Sequence, residues 1–545
     1  MIAAVCGENS GVALNFRGSD RDQPFLMPPS LSEWLAEDHL AYFIVDVVDE
    51  LDLSAFHADY RQDGRGGALY DPRMLLGVLL YAYCTGERSS RRIERNLWEN
   101  VAYRVVSANA APDHATLARF RRRHLKAIAG VFDQVLALCV KAGIVDAGLI
   151  ALDGTKIEAD ASFFANRTRE QLVKEILEQA EQADTAEDEQ FADKRGDEVP
   201  DGWGQRRDRA SRIQAALAEL DRQTSNDYET RMKDRAAKTA ATGKKITGPE
   251  PKKDAARRTK PRRANTTDPE SRIIAMGHRG AFQGYNAQAV ATAQQVVVAA
   301  EVTATTNDQP HFLPMVKAAH QNLAEAGHPG GIGTIVADAG YWTGANGCAE
   351  VEARNVLIAT RKGCWRKAAK PSEDKLAVLA RVNRGELSQR KAGEILGVSY
   401  TWVRDMTKRY FGTEGQRLTP HAGEPEPQVW IPIIERVDAG EISKRAAADE
   451  LDVSSSRINT MLAHVRGEAT DPTIAREAMD ARLAEPDNAE LYKKRSHTIE
   501  PVFGNIKNNL GYRRFQLRGI QATTSEWRFI CASHNILKLR QQTQN

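Results

Sequence analysis

Leu149-Ile150-Ala151-Leu152 runs straight into Asp153-Gly154, and Thr334-Ile335-Val336-Ala337 runs straight into Asp338-Ala339-Gly340. Each is a short apolar run that ends in an acid followed by small residues. Each therefore reads as a buried strand that carries a carboxylate at its C-terminal edge, with space for a substrate backbone beside it. A lone aspartate of this kind is ordinarily a turn or a helix cap. Two of them in strands of one sheet make a candidate site.

Working outward, further strands are expected at 285–291 and 296–302, joined by a polar turn at 292–295, and at 356–359 ahead of Arg361 and Lys362. Helical patterns fill about 309–326 and begin again near Thr343. The order is strand, long insertion, strand, strand, helix, strand, helix, strand. The insertion, 166–270, is charged and poor in aromatics. Lys244, Lys245, Lys252, Lys253, Arg257, Arg258, Lys260, Arg262 and Arg263 lie there among glycines and prolines. A helical excursion with a disordered basic loop is expected, serving as a solvated linker or as a contact to DNA backbone.

Before the first strand the chain reads as an irregular arm (1–28) and an all-helical basic region (29–145). Leu40, Phe43, Ile44, Val47, Val48 and Leu51 recur at three- and four-residue spacing, marking one buried helix face. Pro72 sits where proline suits a first helical turn. Arg88, Arg91, Arg92, Arg95, Arg119, Arg121, Arg122, Arg123 and His124 supply local positive charge. The whole chain is nearly neutral, 75 basic against 73 acidic residues, so any electrostatic footprint for nucleic acid has to be local.

Beyond the last strand, 366–470 contains an internal repeat. Leu379, Arg381, Val382, Gly385, Glu386 and Ser388 match Ile434, Arg436, Val437, Gly440, Glu441 and Ser443 at a constant offset of 55 residues, and Leu396, Val398, Ser399 and Val403 match Leu451, Val453, Ser454 and Ile458. A fixed offset means one supersecondary unit used twice. Each unit has helix-turn-helix grammar, with Tyr400, Thr401, Arg404 and Lys408 outward in the first and Ser455, Ser456, Arg457 and Asn459 in the second. Such a helix can enter a major groove; a plain helical hairpin is the bland alternative.

The final segment, 471–545, holds a third acid. Glu500 lies among Arg495, Lys507, Arg513, Arg514 and Arg518, a setting that fits an ion-pair network or a metal beside phosphate. Glu500 and Lys507 share a helix face if the helix is continuous, although Pro501 implies a start or a kink there. Three carboxylates could hold two divalent cations roughly 4 Å apart, the arrangement that activates an attacking oxygen and stabilises a leaving one at phosphorus. Magnesium, with manganese as its substitute, suits such hard oxygen ligands.

Together, in this order, several stretches resemble bacterial insertion-sequence transposases of the DDE class. They are Tyr70-Asp71-Pro72-Arg73, Leu152-Asp153-Gly154-Thr155-Lys156, Gly284-Tyr285-Asn286-Ala287-Gln288, Ala337-Asp338-Ala339-Gly340-Tyr341, and Glu500-Pro501-Val502-Phe503-Gly504 with Lys507. The resemblance implies a multidomain α/β chain. Its ribonuclease H-like mixed sheet core would be split into 146–365 and 471–545, with an all-α DNA-binding N-terminal domain (29–145) and a tandem helix-turn-helix insertion (366–470). It implies Asp153, Asp338 and Glu500 as the catalytic and metal-binding triad. Tyr492, Arg495 and Lys507 would match flanking residues that contact transposon-end DNA, with Arg513, Arg514, Arg404 and Lys408 as further DNA contacts. Four residues separate Arg495 from Glu500, one more than is common in related groups.

The implied activity is metal-dependent hydrolysis at inverted-repeat ends of double-stranded DNA and strand transfer to target DNA, by a homodimer. A catalytically inactive, repurposed transposase acting as a DNA-binding regulator is the alternative, and a nuclease without strand transfer a further one. At 545 residues, three or four domains are expected. No apolar run approaches the roughly 20 residues of a membrane span, and no signal-peptide pattern opens the chain, so a cytoplasmic, nucleoid-associated protein is expected. The six cysteines have no paired spacing and read as reduced, buried thiols.

Overall fold

The computed structural model describes residues 30–60, 69–178, 203–242, 250–251, 261–275, 280–348, 353–361, 373–398, 427–451 and 472–544, with single positions between 403 and 462. The strands are β1 (Leu149–Glu158), β2 (Asn166–Arg167), β3 (Ala264–Asn265), β4 (Arg272–Ala275), β5 (Ala281–Thr292), β6 (Val297–Thr303), β7 (Ile332–Ala337) and β8 (Ala353–Ile358). Six of them form one mixed sheet. β5 lies antiparallel to β1 on one side and to β4 and β6 on the other; β7 lies parallel to β1, and β8 parallel to β7.

The connections follow from strand direction. β5 and β6 are antiparallel neighbours and need only a tight turn, in which Gln295 takes a φ of 65°. β7 is parallel to β1, which calls for a crossover. The helix Phe312–Glu325 supplies it, entered through a short turn of 3-10 helix, Gln309–His311. That helix and the last one, Ile520–Thr543, both pack on the sheet. The last helix is buried nearly all round. Its Trp527 indole donates to the Gln288 carbonyl at 2.9 Å, and the Asn535 amide both donates to and accepts from the Val297 backbone at 2.8 Å, acting as a strand partner would.

One position differs from the reading of the sequence. β1 does not stop at Asp153; it runs on to Glu158. Its pairing with β7 covers only Leu149 to Leu152, whereas its pairing with β5 continues to Glu158. The apolar run ends where one neighbour is lost and the strand becomes half exposed.

The described part of 29–145 is helical, and its apolar core is continuous with that of the sheet. Pro72–Cys84 starts on an Asp71 cap whose carboxylate accepts from Arg73 N at 2.8 Å, with Pro72 in the first turn. Leu75 through Cys84 is buried on every side, so this helix cannot be satisfied by one stripe of contacts. Cys84 Sγ donates to Ser533 O, and Tyr512 Oη donates to Tyr83 O at 2.6 Å. The helix Leu125–Lys141 packs along Ile520–Thr543. One cluster of buried residues therefore runs from Ala41 to Leu539.

The insertion after β2 contains the helix Trp203–Thr242, held by a small satellite core of Leu172, Ile213, Ala216, Leu220 and Ala264. Arg262 pairs with Asp227 at 2.8 Å. Lys244, Lys245, Lys252, Lys253, Arg257, Arg258 and Lys260 lie outside the described residues, as does the arm 1–28. Cys84, Cys139 and Cys531 are buried and free, and no helix among the described residues is long and apolar enough to cross a membrane.

The repeat is visible as two matching small cores. Leu379, Val382, Ala392 and Val403 form the first; Ile434, Ala447, Ala448, Leu451, Ile458 and Leu462 form the second. Ser388 and Ser443 cap equivalent helices, Gln389–Leu396 and Lys444–Glu450, each accepting from a backbone N–H three residues on. Gly385 and Gly440 turn with φ of 78° and 77°, a conformation glycine adopts without a Cβ clash. Arg404 is exposed. Lys408 and the outward residues Tyr400, Thr401, Ser455, Ser456, Arg457 and Asn459 lie outside the described residues.

Candidate active site

Asp153 and Asp338 are brought together by strand register. Leu152 pairs with Ala337 in the parallel ladder, so the next residue of each chain is an aspartate and the two stand side by side. Asp338 caps the short turn Ala339–Tyr341, its carboxylate accepting from Gly340 N at 2.9 Å. Asp153 accepts from its neighbour Gly154 N at 2.8 Å and from Arg495 Nη1 at 3.1 Å. Burial pushes the Asp153 carboxyl up to about 6; Arg495 opposes that rise and Asp338 adds to it.

Glu500 reaches this point through Arg495, whose other amine lies 3.6 Å from the Glu500 carboxylate. The chain is broken into short helical pieces here. Arg495–Thr498 ends at Ile499, and Glu500–Gly504 begins afresh with Pro501 in its first turn. A π-helical turn, Asn505–Asn509, follows. Such turns are uncommon and cluster at functional sites. Glu500 and Lys507 are thus not on one regular helix, yet their segment faces β1 throughout: Lys507 Nζ donates to Lys156 O at 2.7 Å, and burial lowers its pKa.

Four residues that sequence reasoning had not singled out as site residues stand behind the aspartates. Asp308 Oδ1 accepts from Lys156 Nζ at 3.1 Å, Asn286 Nδ2 at 2.7 Å and Gln288 Nε2 at 3.0 Å. Tyr341 donates to the Gln288 side chain, closing the network toward Asp338. A Cβ on Gly154 would meet Asn286 Oδ1 and Asp308 Oδ1 at 2.9 Å, and one on Gly340 would lie 2.9 Å from Asp338 and 3.4 Å from Asp308. Both glycines are therefore small because acids and amides close over them. Asp308 gave no signal, being one acid in a polar turn, but Asn286 and Gln288 alternate on β5 as inward polar residues.

The remaining expected contacts divide. Tyr492 is buried, and its hydroxyl donates to Ala337 O at 3.1 Å. It supports the end of β7 instead of presenting its ring to a duplex, because its short helix packs under that strand. Arg495 likewise points inward between two acids. Arg513 and Arg514 are exposed. Of the N-terminal basic set, Arg88 lies over the Tyr512 ring and donates to Arg514 O, and Arg121 donates to Arg88 O at 2.8 Å. His124 is buried, whereas Arg91, Arg92, Arg95, Arg119 and Arg122 face solvent.

The carboxylates of Asp153 and Asp338 are hard oxygen donors, and the cost of ionising Asp153, set first by burial and then by Asp338, is what a hard cation relieves. The residues fit such an ion in chemistry. They are not a closed ligand set: among the described residues no three acids, histidines or cysteines converge on one point, and the Arg495 guanidinium stands between Asp153 and Glu500.

Comparison with known proteins gives two matches. Residues 29–123 match a transposase domain (DUF772), and residues 463–540, the stretch with Arg495 and Glu500, match a transposase DDE domain. No curated protein and no solved structure matches the chain. Lying before and after the strands that carry Asp153 and Asp338, these two matches support an insertion-sequence DDE transposase.

Proposed function

We propose that this transposase hydrolyses phosphodiester bonds at the inverted-repeat ends of its element and joins the exposed 3′-hydroxyl to target DNA, with Asp153, Asp338 and Glu500 as its acids. One observation carries the reading: parallel register sets Asp153 beside Asp338, and the Arg495 guanidinium bridges Asp153 and Glu500. The antiparallel β1–β5–β6 meander, flanked by parallel β7 and β8, supports a ribonuclease H-like core.

Magnesium, or manganese in its place, would be held by these three carboxylates and would activate the attacking oxygen while neutralising charge on the phosphate. Arg495 keeps Asp153 ionised and Glu500 near at hand, and Asp308 holds Lys156, Asn286 and Gln288 in place behind them. Exposed Arg513 and Arg514 receive DNA phosphates. The two repeat units act as helix-turn-helix readers of end sequence, with exposed Arg404 and with Lys408 as DNA contacts of the first. Two ends must be handled together, so a symmetric dimer assembles on DNA.

The test is cleavage of labelled DNA carrying the element's own ends, with magnesium or manganese. Wild type is expected to cut; Asp153→Ala, Asp338→Ala and Glu500→Ala are each expected to bind without cutting. Cleavage that survives loss of any one acid removes that acid from the assignment.

A further inference from the structure

Beyond Glu158 the chain leaves β1 and enters a turn that holds two phenylalanines in the open. Phe164 is 85% exposed and Phe163 39%, with their rings edge to face at 5.9 Å. Singly exposed apolar side chains are ordinary, but two adjacent rings packed edge to face and lining one groove form a contiguous patch of the kind that marks a contact surface. The turn is also rigid. Ser162 Oγ accepts from Phe164 N at 3.3 Å, Asn265 Nδ2 donates to Ser162 O at 2.8 Å, and Asn166 Nδ2 donates to Phe163 O at 2.7 Å. Arg167 Nη1 donates to Phe164 O at 2.7 Å. The rings are thus presented on a pinned backbone, and little order is lost when they are covered.

A groove of about 560 Å³ opens against these rings, floored by Ala159, Ala161 and Gln283 and walled by Arg514 and Arg518. Arg514 Nε donates to Ala159 O at 3.1 Å, and Arg518 pairs with Asp160 at 2.8 Å, so both guanidinium groups are anchored at its edge. Glu158 and the 513–515 backbone exchange hydrogen bonds of 3.0 and 2.8 Å, which fixes this wall to β1. Five residues of strand separate Glu158 from Asp153, about 17 Å at strand rise.

We propose that this groove is a second DNA contact: Phe163 and Phe164 form a platform on which one unpaired base stacks, while Arg514 and Arg518 receive the phosphates on either side of it. The proposal rests on the DNA-processing reading above. Bases inside a duplex have both faces covered by the neighbouring pairs, so an exposed ring favours an unpaired base that can leave the stack, and every base has a π-face, so the preference is independent of sequence. Two rings cover far less than the roughly 800 Å² per partner that a stable protein interface buries, and the arginines favour an anionic partner.

The experiment uses the full-length protein and two DNA duplexes that differ only in one unpaired fluorescent aminopurine. Wild type is expected to bind the interrupted duplex about tenfold more tightly than the paired one. Phe164→Ala is expected to lose that preference and Phe164→Trp to keep it, while Arg514→Ala weakens both duplexes alike. Phe164 stands in water, so an unchanged melting temperature confirms that its variants fold. A preference that survives Phe164→Ala, or wild type binding both duplexes equally, overturns the platform alone. Wild type binding neither duplex overturns the DNA reading together with it. A change from dimer to monomer in Phe164→Ala without DNA assigns the ledge to a second copy of the chain and also overturns the proposal.

Discussion

The strand-end site and the repeat units at 373–451 are built by opposite means. Each repeat closes its own small core from residues a few turns apart, and does so twice with the same caps and the same left-handed glycine. The candidate site instead draws Asp153, Asp338, Arg495 and Glu500 from distant parts of the chain, the partners of its main ion pair being 342 positions apart. Local units carry their grammar in local sequence. A convergent site exists only once the sheet register and the packing of the last segment are in place.

The largest expected effect probes the local side of that contrast. Leu379→Ala empties the centre of the first repeat core and should cost about 2–5 kcal/mol within that unit. Hydrogen exchange is expected to show lost protection in 373–398 with the second unit and the sheet unchanged; loss spreading to β1 breaks the claim that the units are independent.

Next comes the convergent side. Buried His534 donates from Nε2 to Gln295 O and accepts from Asn505 at Nδ1, which fixes it neutral, and burial pulls its pKa down from 6.5 to about 4. Below 6.5 the unfolded chain takes up a proton that the folded one refuses. This contribution is therefore complete above pH 6.5 and fades as pH falls toward 4, by about 3 kcal/mol at most. Urea melts should show the gap between wild type and His534→Gln narrowing across that window. A gap constant with pH would mean that the imidazole titrates alike in the folded and the unfolded chain.

A smaller effect, about 1–3 kcal/mol by overpacking, is expected for Gly154→Ala, since its Cβ would press on Asn286 and Asp308. Cutting should fall far more than stability does, because Lys156 and Gln288 move with Asp308. Equal losses would make the network merely structural. Smallest and most symmetric are Ser388→Ala and Ser443→Ala, about 1 kcal/mol each. Unequal costs would show that the 55-residue repeat is one of sequence without equal energetics.

The same contrast explains what could be read in advance. Asp153 and Asp338 were legible because each terminates an apolar run, and the repeat because its period is fixed. The continuation of β1 to Glu158 was hidden: from Asp153 to Ile157 the strand has a ladder partner on one side only, and its pattern changes from continuous to half-buried. Asp308 has no periodicity to betray it. Tyr492 matched a motif position, yet whether it meets DNA or Ala337 O is decided by how its helix packs, which no local pattern records. Arg495 likewise shows its role only when β1 and the last segment are adjacent.

The most direct test of the central claim, that three distant acids form one site, is binding of manganese alone to the full-length protein, followed by electron paramagnetic resonance. The account predicts that Asp153→Ala, Asp338→Ala and Glu500→Ala each weaken the same binding event. If Glu500→Ala binds manganese as wild type does, Glu500 is only an ion-pair partner of Arg495 and the three-acid site is contradicted.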